Sequence, residues 1–91
     1  MSNHAYQVTE EDVENVLRSN WLYVANAIGK APGSISSEVF GNLDFDLIEQ
    51  AALLGDSLDE QTDHANDEIT RQLREMGVLL APRSQQKPLT A

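Results

Sequence analysis

Residues 57–78 read SLDEQTDHANDEITRQLREMGV. Ser57 followed three residues later by Glu60 is the capping-box signature of a helix start. Gly77 stands where a helix ends in a left-handed residue, and Val78 after it can touch Leu73 across the closing turn. Between these signals, Leu58, Ala65, Ile69, Leu73 and Met76 fall on one narrow stripe at 100° per residue. The stretch therefore predicts a long amphipathic helix over 58–76, and with it an all-α chain. The polar side of the wheel is unusual. Asp59, Asp63 and Asp67 form one row at i, i+4, i+8, and Glu60, His64 and Glu68 form the row beside it. Both rows lie away from the apolar stripe. Arg71 follows Asp67 by four residues, in the favourable acid-before-base order.

The preceding segments read as helices that supply the other side of the core. Thr9 is a good N-cap, Val8 and Val13 occupy the hydrophobic-staple positions, and Glu10, Glu11, Asp12 and Glu14 suit the positive end of a helix dipole. Val13, Val16, Leu17, Val24, Ala27 and Ile28 recur at helical spacing up to Gly29, which predicts a first helix over 10–28. After the turn at Ala31-Pro32-Gly33, Ser34 can cap a short helix over 35–41, with Ile35, Val39, Phe40 and Leu43 inward. Asp44 is another N-cap, with Leu43 and Ile48 as its staple. It starts a third helix over 45–54, with Phe45, Leu47, Ile48 and Ala52 inward and Gly55 as its stop. Val78 to Ala81 reads either as a strand or as an extended end laid over the helices. The expected architecture is an all-α bundle of three to four helices in one domain over 8–80. Residues 1–7 are expected to be flexible, and 81–91 a disordered basic tail.

Composition narrows the function classes. The chain has 91 residues, no cysteine and a net charge of −9. Disulfide and thiolate chemistry are excluded. The longest apolar runs, Trp21–Ala25 and Val78–Ala81, fall far short of the ~20 residues that span a bilayer. The N-terminus carries no signal-like region, so the chain reads as soluble and cytoplasmic. Residues 9–69 hold 14 acids against Arg18 and Lys30, whereas 70–91 hold Glu75 against Arg71, Arg74, Arg83 and Lys87. Such a body repels nucleic acid and anionic membranes and attracts basic partners.

Each candidate chemistry has a plainer structural alternative. Glu60, His64 and Glu68 have helical spacing for a metal, but a bundle site takes Glu-x-x-His pairs from facing helices. Position 61 is Gln, and no other helix offers a second His; a lone His on a solvated face is the simpler reading. Ala51-x-x-x-Gly55 before a helix has the outline of a helix-turn-helix, yet the would-be recognition helix is acidic and would repel phosphates. The inverse fits better. Acids four apart rise about 6 Å, close to the spacing of successive phosphates along a strand. A row of Asp59, Asp63 and Asp67, with Glu60 and Glu68, can thus imitate a nucleic-acid backbone; the plain alternative is a solvated face. Trp21, Leu22 and Tyr23 make the first helix apolar almost all round, which suits either wrapping by other segments or an apolar interface. No nucleophile–base pair or phosphate loop points to an enzyme, and no cofactor is expected.

The segments VTEEDVENVLRSNWLYVAN (8–26) and FDLIEQAALLGDSLDEQTDHANDEITRQLREMGVL (45–79) resemble small acidic helical proteins of phages, plasmids and other mobile elements. Some of these are anti-CRISPR or anti-restriction inhibitors, several acting as nucleic-acid mimics. The resemblance spans roughly residues 8–80 and rests on size, acidity and helix pattern. It implies a non-enzymatic inhibitor that occupies a basic surface of a nucleic-acid-handling host defence complex, such as a CRISPR complex, through Asp59, Asp63, Asp67, Glu68 and Glu60. The alternative expectation is a small homodimeric interaction or regulatory module, joined through Trp21, Leu22 and Tyr23.

Overall fold

The computed structural model describes residues 6–80; the predicted tail over 81–91, and all but the last two residues of the predicted flexible N-terminus, lie outside them. The chain is all-α. Among the described residues four helices form in order: α1 (Glu10–Ser19), α2 (Pro32–Phe40), α3 (Phe45–Ala52) and α4 (Leu58–Glu75), with a 3₁₀ turn at Trp21–Tyr23. Helix α3 packs chiefly against α4, and α1 packs against both α2 and α4. The fully buried centre is built from Val13, Leu17, Ile48, Ala65, Ile69 and Leu73.

Helix α4 follows its sequence signals at both ends. The Ser57 side chain accepts the Glu60 N–H at 3.2 Å. At the other end, Gly77 has φ +82°. Its N–H donates to the Arg74 carbonyl at 3.1 Å, and the Val78 N–H donates to the Leu73 carbonyl at 2.9 Å. That is the paired bonding of a Schellman closure. The ends of the predicted stripe nevertheless leave the core. Leu58 is 71% exposed and Met76 is also exposed.

The first helix is shorter than predicted. It stops at Ser19, not residue 28, and Asn20 is the reason. The Asn20 side-chain amide donates to the Val16 carbonyl at 2.8 Å, and its N–H bonds to the Val16 and Leu17 carbonyls at 3.1 and 3.2 Å. A side chain that competes for helix carbonyls favours termination, and the aromatic and β-branched WLYV that follows has weak helix propensity. A long-range pairing then takes over. Val24 forms an isolated antiparallel bridge with Leu79. The Ala25 N–H donates to the Val78 carbonyl and the Leu80 N–H to the Tyr23 carbonyl, both at 2.8 Å. Of the two readings of Val78–Ala81, the described part is an extended end laid over the helices and held by this one bridge. Asn26 and Gly29 turn the chain with φ of +57° and +77°. Val24 stays in the core, but Ile28, predicted to be buried, is 97% exposed.

Two smaller differences follow from local chemistry. Helix α2 begins at Pro32, with Ala31 as N-cap, rather than after Ser34. Proline's fixed φ and missing N–H suit the first helical position. Helix α3 starts from Asp44 as predicted, its carboxylate accepting the Leu47 N–H at 3.2 Å. It ends at Ala52, two residues early, so Leu53 and Leu54 are exposed, as is Leu47, which was expected inward. The ring of Phe40 at the end of α2 meets that of Phe45 at the start of α3, with centroids 5.0 Å apart and planes tilted by 52°.

One polar side chain joins the two halves. Gln72 is buried on α4. Its amide oxygen accepts the Asp44 N–H at 2.7 Å and its amide nitrogen donates to the Asp44 carbonyl at 3.2 Å. The Gln72 side chain thus pins the N-cap of α3 to α4. Gln72→Leu leaves the Asp44 N–H without its partner, while the Asp44 carbonyl keeps the Ile48 N–H at 3.3 Å; an unsatisfied backbone group out of water costs about 1–3 kcal/mol. A urea titration should show a loss of that size; an unchanged midpoint would mean the bond is not structural.

Candidate functional site

About half of the acids are engaged inside the molecule through their carboxylates. Asp12 closes a capping box with Thr9: its carboxylate accepts the Thr9 N–H at 3.0 Å, and its own N–H donates to the Thr9 hydroxyl at 3.3 Å. Burial, followed by the Asp12 charge, pushes the pKa of the Tyr6 phenol up. Glu10 accepts the Ser37 hydroxyl at 3.3 Å. Glu14 pairs with Arg18. Glu60 reaches past Ser57 and accepts the Asp56 N–H at 2.8 Å, one residue beyond the box predicted for it.

Glu68 is clamped as well. Arg71 donates to it from Nε at 3.0 Å and from Nη2 at 2.6 Å, and Gln72 Nε2 donates at 2.9 Å. Arg71 also bonds Glu75 at 2.8 Å. The Arg71 bonds hold the Glu68 carboxyl below the usual carboxylate range, against an opposing effect of burial. Glu68 in turn holds Arg71 more firmly charged. Because Gln72 carries the α3 cap, Glu68 belongs to the joint between α3 and α4. Its folded-state pKa is the lower one, so its bonds stabilise the fold above the ordinary carboxylate pKa. They fade as pH falls through the depressed value. Glu68→Gln should lower the melting temperature at neutral pH, and the difference from the unmutated protein should shrink below about pH 4. A pH-independent difference would argue against the clamp.

Among the described acids without a side-chain bond (Glu11, Glu38, Asp46, Glu49, Asp56, Asp59, Asp63 and Asp67), Asp59, Asp63 and Asp67 form one row at i, i+4, i+8 along α4. All three are exposed on the outer side of α4. Among the described residues, no hydrogen bond or ion pair holds their carboxylates. Asp67 also lines an open polar cleft of about 360 Å³ with Asn15, Asn20, Thr70 and Arg74, between α1 and α4. Of the five acids expected to face a partner, then, three are available, while Glu60 and Glu68 carry structural bonds. The metal reading of Glu60, His64 and Glu68 weakens for the same reason, and among the described residues no group of three or more His, Asp and Glu is placed to hold an ion.

The apolar candidates also divide. Trp21 is half-buried and packs against the core, so it is not part of an outward trio. Leu22 is 93% exposed, and Tyr23 is exposed beside it. A second apolar group escaped the sequence reading. Leu53, Leu54 and Leu58 all stand exposed around the elbow between α3 and α4, with Leu54 at 77%. Asp56, Asp59 and Glu60 interleave with them along the chain. The signal was present in the leucines at both ends of a Gly55 turn, but extending α3 to 54 and counting Leu58 as core concealed it.

Compared with known proteins, the chain matches no family model, no curated sequence and no solved structure. Among the described residues no helix is long and apolar enough to cross a membrane.

Proposed function

We propose that the protein is a non-enzymatic binding protein that occupies a basic, nucleic-acid-binding surface of a partner protein, as the mobile-element inhibitors it resembles do. The observation that carries this reading is the row of three unengaged aspartates at i, i+4, i+8 along α4; Glu11, Glu38, Asp46, Glu49 and Asp56 are likewise unbonded among the described residues but form no such row. The helix dipole favours Asp59 in the first turn of α4, but Asp63 and Asp67 lie beyond that turn, and like charges four residues apart on a helix are mildly unfavourable.

The elbow leucines extend the same surface. An exposed ion pair contributes about 0–1 kcal/mol, whereas burying a leucine contributes about 1.5–3 kcal/mol. The leucines would hold the complex, and the aspartates would steer it and fix its orientation. The partner's chemistry is then an apolar seat rimmed by Lys and Arg, on a host complex that handles nucleic acid. Immobilised protein should capture such a partner from host extract at low salt, release it at high salt and release it to added nucleic acid. Capture that ignores both salt and nucleic acid would sink the proposal.

A further inference from the structure

The structure carries a second apolar surface with different electrostatics. At the Val24–Leu79 bridge, both bridged residues are buried. Leu80, next to Leu79, and Tyr23, the last residue of the 3₁₀ turn, are joined by the bond from the Leu80 N–H to the Tyr23 carbonyl, and both are exposed. Leu22, on the same turn, extends this surface and is nearly bare.

The segments that build this face, residues 19–31 and 76–80, contain no acid. In a chain of net charge −9 that is unusual. Two copies repel one another over most of their surface, and the elbow leucines stand among Asp56, Asp59 and Glu60. A copy can approach this face without meeting a carboxylate on the segments that form it; their charge is Lys30, and Glu38 borders them beside Ala25, Asn26 and Val78. The face offers no acid to a basic partner. An aromatic and two leucines match the composition of interface cores, and a two-fold contact brings one patch against itself.

We infer that Leu22, Tyr23 and Leu80 form the seat of a second copy of this chain, in a symmetric dimer. The contact is independent of the α4 surface, and its failure would leave that reading untouched.

Light scattering on the full chain tests it, over a concentration series up to about 1 mM. The expected mass is twice the 10.1 kDa of one chain. The dimer fraction should rise with salt, because screening removes repulsion and leaves apolar contact in place. Leu22→Glu and Leu80→Glu should each raise the dissociation constant about tenfold or more, with the circular dichroism unchanged. Leu54→Glu and the triple substitution Asp59→Asn, Asp63→Asn, Asp67→Asn should leave the dimer intact. A monomer throughout the series, as when the chain's own residues 81–91 cover the patch, would overturn the inference. So would a dimer indifferent to both glutamates, or one broken by Leu54→Glu.

Discussion

Gly55→Ala is expected to be the most damaging single substitution in the elbow. A Cβ at Gly55 would lie 2.6 Å from the Gln61 nitrogen, 2.7 Å from the Glu60 carbonyl carbon and 2.8 Å from the Glu60 Cβ. Two of these atoms are backbone, so no side chain can swing aside. The first turn of α4 must move away from the end of α3. That movement strains the bonds concentrated there: Ser57 to the Glu60 N–H, Glu60 to the Asp56 N–H, and Gln61 Nε2 to the Gly55 carbonyl at 3.4 Å. Overpacking costs about 1–3 kcal/mol and loss of a cap about 1 kcal/mol more. A loss of roughly 3 kcal/mol is a large share of the 5–15 kcal/mol that holds a domain folded. Gly41→Ala is the control, since nothing lies within 4 Å of its Cβ and the residue is right-handed helical. There the unfolding midpoint should be unchanged or slightly raised. Equal urea midpoints for the two variants would contradict the close approach at Gly55.

The second large effect concerns binding. Replacing Asp59, Asp63 and Asp67 together by Asn should weaken partner binding at low salt by about a hundredfold, at roughly 1 kcal/mol for each exposed charge lost. The same substitution should not weaken the fold. Removing like charges at i, i+4 relieves a few tenths of a kcal/mol per pair, so the melting temperature should stay level or rise. Loss of binding with no loss of stability separates a binding surface from a structural one. Leu54→Ser should act differently, lowering affinity by a similar order at every salt concentration, because apolar contact is not screened. If the aspartate variant binds as tightly as the unmutated protein, the row only faces water.

The sequence carried the helices whose ends are set locally. Thr9, Asp44, Ser57 and Gly77 act within one turn of themselves, and each caps where its chemistry predicts. The residues after Asn20 were misread because a contact 55 positions away, Leu79 to Val24, competes with helix propensity there. Apolar residues at helical spacing said nothing of that partner, so Ile28 seemed to belong to the core. Gln72 shows the opposite limit. It sits on the buried side of α4 between Ile69 and Leu73, but polarity masked a role that needs the backbone of Asp44, 28 residues away. For the candidate site, the row of Asp59, Asp63 and Asp67 was legible because helical spacing alone defines it. The engagement of Glu68 with Arg71 was open to the same reasoning, as a pair three residues apart. The elbow leucines were harder to read: Leu53 and Leu54 stand outside α3 because it ends two residues early, and Leu58 falls on the apolar stripe of α4 yet is exposed.

The most direct test of the acidic surface is the salt dependence of affinity for a captured partner, measured for the unmutated protein and the triple Asp→Asn variant side by side. The expected result is a steep fall in affinity with salt for the former, competition by nucleic acid, and a weak, nearly flat dependence for the variant. Superimposable curves for the two proteins would contradict the account.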